Sequence, residues 1–135
     1  MPGSFFDTNV LLSVASSDPG KADQAEKLVG EGGVISVQVL NEIANVARRK
    51  MGLSWAETRA FLAVIRDLLP VRTVTVAIHE SGIDVAERYG LSIDDAMIAA
   101  SALDAGCDTL WSEDLQDGMV LHDRLRVVNP FRAVR

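Results

Sequence analysis

Thiols, imidazoles and long apolar runs are scarce in this chain of 135 residues, and each scarcity closes a route to function. The single Cys107 cannot form an internal disulfide. With only the distant His79 and His122 for company it cannot complete the four Cys or His ligands of a structural zinc site either. A reducing, cytoplasmic compartment is the expectation. No stretch of 18 uninterrupted apolar residues occurs, and the opening MPGSFFDTNVLL has no basic segment, its apolar run being broken by Asp7. Neither a membrane span nor an export signal is expected. Gly30, Gly32 and Gly33 precede a predicted strand instead of joining a strand to a helix, the wrong order for a phosphate-cradling loop. No Ser-His-Asp or Cys-His arrangement can be built, and there is no internal repeat, low-complexity tract or linker.

What is present is the composition of an ordinary soluble domain, 48% hydrophobic and 24% charged. At roughly 150 residues per domain the chain is one domain, residues 1–135, able to bury about two thirds of its unfolded surface. A net charge of −6 argues against nonspecific binding of nucleic acid or membranes by bulk charge, though not against nucleic acid as a substrate. The charge is unevenly spread. From Thr73 to Asp123 there are eleven acids and one base, Arg88, whereas Arg124, Arg126, Arg132 and Arg135 follow with no acid.

Ser4 to Phe6 reads as a short buried strand, and Val10 to Val14 as a helix set off by the polar trio Asp7, Thr8, Asn9. Asp18-Pro19-Gly20 opens a polar helix to about Val29, stopped by Gly30 to Gly33. Val34 to Ser36 is a second strand, and Val39, Leu40, Ile43, Val46 and Ala47 recur at helical spacing up to about Lys50. Ser54 with Glu57 is a capping pair for a helix whose apolar stripe is Phe61, Leu62, Ile65, Leu68 and Leu69, ended by Pro70. Val71 to Val76 alternates like a strand, and Ile78 to Tyr89 fits a helix closed by Gly90. Ser92 opens a helix to about Ala105 that is apolar nearly all round, hence central. Thr109 to Trp111 and Arg126 to Val128 are the last strands. Strands alternating with helices predict an α/β domain with a central parallel sheet flanked by helices.

In such sheets sites lie beyond the carboxyl ends of the strands. Asp7 directly follows the first strand, and Glu42 lies early in the helix after the second. Asp94 and Asp95 open the buried helix, and Glu113, Asp114 and Asp117 follow strand Thr109 to Trp111. Each has an ordinary reading. Asp7 and Asp95 can cap helices, Glu42 can join a surface salt bridge, and the last three can form an acidic turn. Their coincidence at one predicted edge favours a site. Carboxylates gathered in one cleft repel one another unless a cation neutralises them, and an all-oxygen set suits Mg²⁺ or Mn²⁺. Magnesium typically takes one or two carboxylates plus substrate phosphate, which points to phosphoryl chemistry.

FFDTNVLL (Phe5 to Leu12), SVQVLNEIANV (Ser36 to Val46), LSIDDAMIAASALDAGCDTLWSEDLQDG (Leu91 to Gly118) and VVNPF (Val127 to Phe131) occur in that order with domain-sized spacing. Together they closely resemble the PIN-domain ribonucleases, in particular the VapC-like toxins of bacterial and archaeal toxin–antitoxin pairs, over essentially the whole chain. The resemblance implies a PIN-like α/β fold, metal-dependent endonucleolytic cleavage of RNA and inhibition by a small antitoxin protein. It assigns the metal-binding, catalytic acids to Asp7, Glu42, Asp95 and Asp114. Asp117 is implied as a ligand through water, with Thr8, Asn9, Ser112 and Asp94 as auxiliary residues.

RNA must still be held by an acidic protein. Arg48, Arg49 and Lys50 and the C-terminal arginines are candidate phosphate contacts, although bases near a helix C-terminus also favourably oppose its dipole. The paired helices from Val37 to Lys50 and from Ser54 to Leu69 could bury an apolar face against an antitoxin or a second copy in a homodimer. Trp55, Phe61 and Ile65 could equally be core. Two other functions stay in view. A haloacid-dehalogenase-like phosphotransferase would want a second Asp where this chain has Asn9, and a PIN-like RNA-binding or assembly module would keep the fold without turnover.

Overall fold

Two strands three residues long, Ser4–Phe6 and Thr109–Trp111, run parallel with Phe5 opposite Leu110, and the fold is built outward from that pair. The computed structural model describes residues 3–132, which leaves Arg135 outside the described residues. The elements are β1 (Ser4–Phe6), α1 (Thr8–Leu12), a 3-10 turn (Ser13–Ala15), α2 (Pro19–Gly30), β2 (Ile35–Ser36), α3 (Val37–Arg49) and α4 (Trp55–Leu68). There follow β3 (Val71–Arg72), α5 (Val76–Tyr89), α6 (Ile93–Asp104), β4 (Thr109–Trp111), β5 (Val120–Leu121) and β6 (Leu125–Val128).

The four-stranded sheet has the order β1-β4-β6-β5, and β2 pairs separately with β3. A single parallel bridge, Phe5 with Val34, ties the two together: Val34 donates its N–H to the Ser4 carbonyl at 2.9 Å, and Phe6 donates to Val34 at 3.2 Å. All neighbours are parallel except β5. The carboxyl ends of β1, β2, β4 and β6 therefore share one edge, and a residue following any of them is delivered there. The same edge receives the start of α6, which rises about 18 Å over its 12 residues before the chain enters β4 from the opposite side.

Local chemistry explains most boundaries. Ser54 and Glu57 form both halves of a capping box, and Thr75 caps α5 by accepting from the Ile78 N–H at 3.1 Å. Gly90 ends α5 with φ +68°, a left-handed conformation that glycine adopts without penalty. From Ala96 to Leu103 every residue of α6 is buried, as its all-round apolar sequence implied. The sheet's Phe5, Phe6, Leu110 and Val127 lie with Ile98 and Ala99 of α6 in one core.

Three expectations need correction. The alternation from Val71 to Val76 does not extend a strand. β3 stops at Arg72, and Val76 already begins α5, because the Thr75 hydroxyl satisfies a helix N-terminal donor that a strand would not present. The sheet also carries an antiparallel edge, β5, returning to β6 through left-handed His122 and Asp123. Lastly, Trp55 is not core; it is 61% exposed, while Ile65 is buried and Phe61 half-buried.

The bridge between β1 and Val34 requires a close backbone approach at Gly33. A Cβ there would fall 2.8 Å from the Ser4 carbonyl oxygen and 2.5 Å from the Phe6 ring. Gly33→Ala is expected to destabilise the protein by about 1–3 kcal/mol in urea unfolding. Gly30→Ala, three residues earlier and with nothing within 4 Å, should be neutral or stabilising. Equal effects would show that the Gly33 contact is not what constrains this junction.

Candidate active site

Asp7 is only 2% exposed, yet it carries a carboxylate. Its backbone N–H extends the sheet by donating to the Trp111 carbonyl at 2.9 Å, which points the chain off β1 and into α1. Its oxygens accept three hydrogen bonds: from the Thr8 N–H at 2.7 Å, from the Ser112 hydroxyl at 2.7 Å and from the Asn9 amide at 3.3 Å. Asp7 is thus a helix cap and something more. Burial raises its pKa to about 6; the bonds from Ser112 and Thr8 oppose that rise, and the charges of Asp114 and Asp95 add to it.

The network continues through Thr8 into a second segment. The Thr8 hydroxyl donates to Glu42 at 2.9 Å, and the Gln38 amide donates to the other Glu42 oxygen at 2.8 Å and, more weakly, to Asp94 at 3.4 Å. A path of hydrogen bonds therefore links the end of β4, the end of β1, α3 and the start of α6. The pKa of Glu42 is raised, chiefly by burial, against the bonds from Gln38 and Thr8 and with the help of Asp94 and Asp95. Asp95 is raised for the same leading reason, with Ser92 opposing and Asp114 and Asp94 adding. Ser92 does cap α6 by accepting from the Asp95 N–H at 3.2 Å. Among the described residues the reciprocal bond, donated by the cap's backbone N–H to the carboxylate, forms at Ser54–Glu57 and not at Ser92–Asp95.

Thr8, Asn9, Glu42, Asp94 and Asp114 line a cleft of about 340 Å³, and Lys50 is the base that reaches it. Glu113, beside Asp114 in sequence, is turned elsewhere. It pairs with Lys21, and its N–H donates to Asn9 Oδ1 at 3.0 Å. Asp117 takes up a different duty, accepting from the Asn129 N–H at 2.7 Å and from Arg132 at 2.8 Å and so fastening the segment after β6. Among the described residues no three Asp, Glu, His or Cys side chains are placed so that together they could hold a metal ion. Glu42, Asp94 and Asp114 stand on the wall of the open cleft, whereas Asp7 and Asp95 are not among its lining residues. Gln38 escaped the sequence reading, although its position four residues before Glu42 on one helix face was the available signal.

The family model of the PIN domain matches residues 4–116. The chain belongs to the PIN-domain family. Solved structures agree in fold. A toxin–antitoxin complex from Klebsiella pneumoniae superposes with a TM-score of 0.70 at 22% identity, covering 94% of this chain and 97% of that one. VapC20 of Mycobacterium tuberculosis, a toxin that cleaves the sarcin–ricin loop, gives 0.66 at 21% identity, covering 82% and 89%. FitAcB from Neisseria gonorrhoeae gives 0.70 at 19% identity, covering 96% and 99%. No curated protein sequence matches the chain. Membership of the PIN family removes the haloacid-dehalogenase alternative, and the structure shows Asn9 bridging Asp7 and Glu113 where that enzyme would need a second acid.

A carboxyl whose pKa is higher folded than unfolded favours folding below its unfolded value and costs stability as pH rises through the folded one. For Asp7 that window runs from 3.8 to about 6. Asp7→Asn removes the charge and should gain stability over the metal-free wild type on going from pH 4 to pH 7, by on the order of 1–3 kcal/mol. Urea unfolding of both proteins in chelator at the two pH values measures it. A difference that does not change with pH would mean the Asp7 carboxylate is not strained by its burial.

Proposed function

We propose that this PIN domain is a divalent-cation-dependent endoribonuclease acting in the cytoplasm as the toxin of a toxin–antitoxin pair. The observation that carries the reading is the delivery of Asp7, Glu42, Asp95 and Asp114 to one sheet edge by four separate segments, with Asp7 buried and its ionisation opposed by burial and by neighbouring acids. A protein does not hold such a group for stability alone, because a buried carboxylate that its hydrogen bonds compensate only in part costs free energy. The donor set is entirely oxygen, and Lys50 is the one base lining the cleft. These residues fit a hard cation, and Asp7, Glu42, Asp95 and Asp114 are the ligands we assign to Mg²⁺ or Mn²⁺. The partner follows from the neighbours, which include a toxin–antitoxin complex and VapBC2 of Rickettsia felis bound to a promoter DNA fragment.

Each residue then has a task. A bound cation supplies polarisation of the scissile phosphate and a more acidic attacking water. Thr8, Ser112 and Asn9 fix the Asp7 oxygens by donation, so that both lone-pair directions are set before substrate arrives. Thr8 and Gln38 hold Glu42 from either side, and Gln38 restrains Asp94 beside it. One of these carboxylates, lying beside the attacking water, is suited to take its proton. Lys50 offers a positive charge to a phosphate entering the cleft. No protein nucleophile is required.

Purified protein should cleave RNA with Mg²⁺ or Mn²⁺, and Asp95→Asn should lose that activity by about 100-fold or more while keeping its circular dichroism, since Asn still accepts the turn geometry but lacks the charge. Cation at about 100-fold above its dissociation constant should stabilise the wild type by roughly 2.7 kcal/mol and raise its melting temperature. Asp7→Asn should show a much smaller rise. Equal rises in the two proteins would remove Asp7 from the ligand set, and full activity in Asp95→Asn would remove Asp95 from it.

A further inference from the structure

Beside the acidic cleft lies a second, wider depression of opposite character. It has a volume of about 580 Å³ and is lined by Asn45, Arg48, Arg49 and Trp55 among others, with no acid in its wall among the described residues. Asn45 lines both depressions, so the two are continuous along α3. From Glu42 to Arg48 the helix rises only about 9 Å, the span of a few nucleotides. In a protein of net charge −6, a basic wall opening directly onto the catalytic edge is complementary to a polyanion that must enter that edge.

The aromatic residue decides what kind of polyanion. Trp55 is the first residue of α4 and is 61% exposed, a position where a large indole contributes little to the core. It is nevertheless held in place. The Arg48 guanidinium lies 4.1 Å from the centre of its ring and is itself anchored by donating to the Leu53 carbonyl at 2.6 Å. The acid of the same helical turn, Glu57, is folded back on the Ser54 N–H and does not oppose the arginines at the ring. Opposition to the helix dipole would account for Arg48 and Arg49 but not for an ordered, exposed indole between them and solvent. One ring face is covered by a cation, and the exposed remainder offers a flat surface of the size of a base.

We infer that Trp55, backed by Arg48, is a stacking platform for an unpaired base of the RNA substrate, with Arg49 and Lys50 taking the flanking phosphates. The inference rests on the ribonuclease reading of the adjoining cleft and deepens it by naming the side chains that would hold the substrate beside that cleft. A base inside a duplex has no free face to present, whereas an unpaired base of any identity has one.

Binding is measured without cleavage by fluorescence anisotropy in the Asp95→Asn background. The probes are a labelled 12-nucleotide mixed-sequence RNA free of self-complementarity and the same RNA annealed to its complement. Trp55→Ala should weaken the unpaired probe by about 10- to 100-fold. Trp55→Phe should stay within about 3-fold of the parent, because a smaller ring still stacks, and duplex binding should change by less than about 2-fold in either variant. With the Asp95 carboxylate restored, Trp55→Ala should raise KM for an RNA that the wild type cleaves and leave kcat nearly unchanged. An exposed site makes misfolding a poor explanation, and an unchanged melting temperature for Trp55→Ala checks it.

Unpaired-probe binding within 2-fold of the parent in Trp55→Ala overturns the platform, as does an equal loss on both probes. Loss of antitoxin binding with RNA binding intact would make the surface a protein interface instead, and also overturns it. If the wild type cleaves RNA while Trp55→Ala binds normally, only the platform fails. Trp55-dependent binding with no cleavage by the wild type would defeat the nuclease reading and leave the platform standing.

Discussion

A charged side chain taken out of water must be met by donors or by opposite charge, and in this fold that demand falls on Asp7. Its position at the end of β1 is forced by the parallel pairing with β4, whose last carbonyl receives the Asp7 N–H. The side chain then has nowhere to go but the junction of the two strands. There the Ser112 hydroxyl and the Thr8 N–H answer it from two parts of the sequence about a hundred residues apart. Hydrogen bonding lowers the cost of burial but does not cancel it, so the net shift remains upward. Around this one residue the other acids are arranged by topology alone. α3 starts where β2 ends, α6 starts opposite the entry to β4, and Asp114 follows β4.

The same logic shows what the sequence could and could not disclose. Caps are local, so Ser54 with Glu57, the Ser92 cap of α6 and the stop at Gly90 were legible from their spacing. The core position of α6 followed from its lack of a polar face. β5 was not legible, because two residues carry no periodicity and its existence depends on left-handed His122 and Asp123 folding it back on β6. The misread strand after Val71 shows how β-branched alternation can run straight through a helix cap.

At the site, seven acids could be placed near one sheet edge in advance, and the resemblance to the PIN family singled out Asp7, Glu42, Asp95 and Asp114 among them. Their individual surroundings could not be read that way. Glu113 and Asp114 are neighbours in sequence, and what separates them is Lys21, which neutralises Glu113 from 92 residues away. Asp117 looked like a member of the same acidic turn until its oxygens were found on Asn129 and Arg132. Trp55 illustrates the converse limit. A tryptophan on an amphipathic helix is compatible with core or surface, and only the geometry of Arg48 and the Leu53 carbonyl shows it held upright in solvent.

The burial of α6 from Ala96 to Leu103 has a further effect on the cleft. A helical stretch enclosed by core opens only when the domain opens, so its amides are expected in the slowest-exchanging part of the chain. Asp95 sits on the first turn of that helix, fastened by Ser92, and inherits its stiffness. Cations that tolerate varied shells, such as calcium, prefer ligands that can rearrange around them, whereas smaller ions with fixed octahedral demands are served by ligands that stay put. Were Asp95 to hold a cation as we propose, that stiffness would act as a size filter, set by the packing behind the carboxylate as much as by its oxygens.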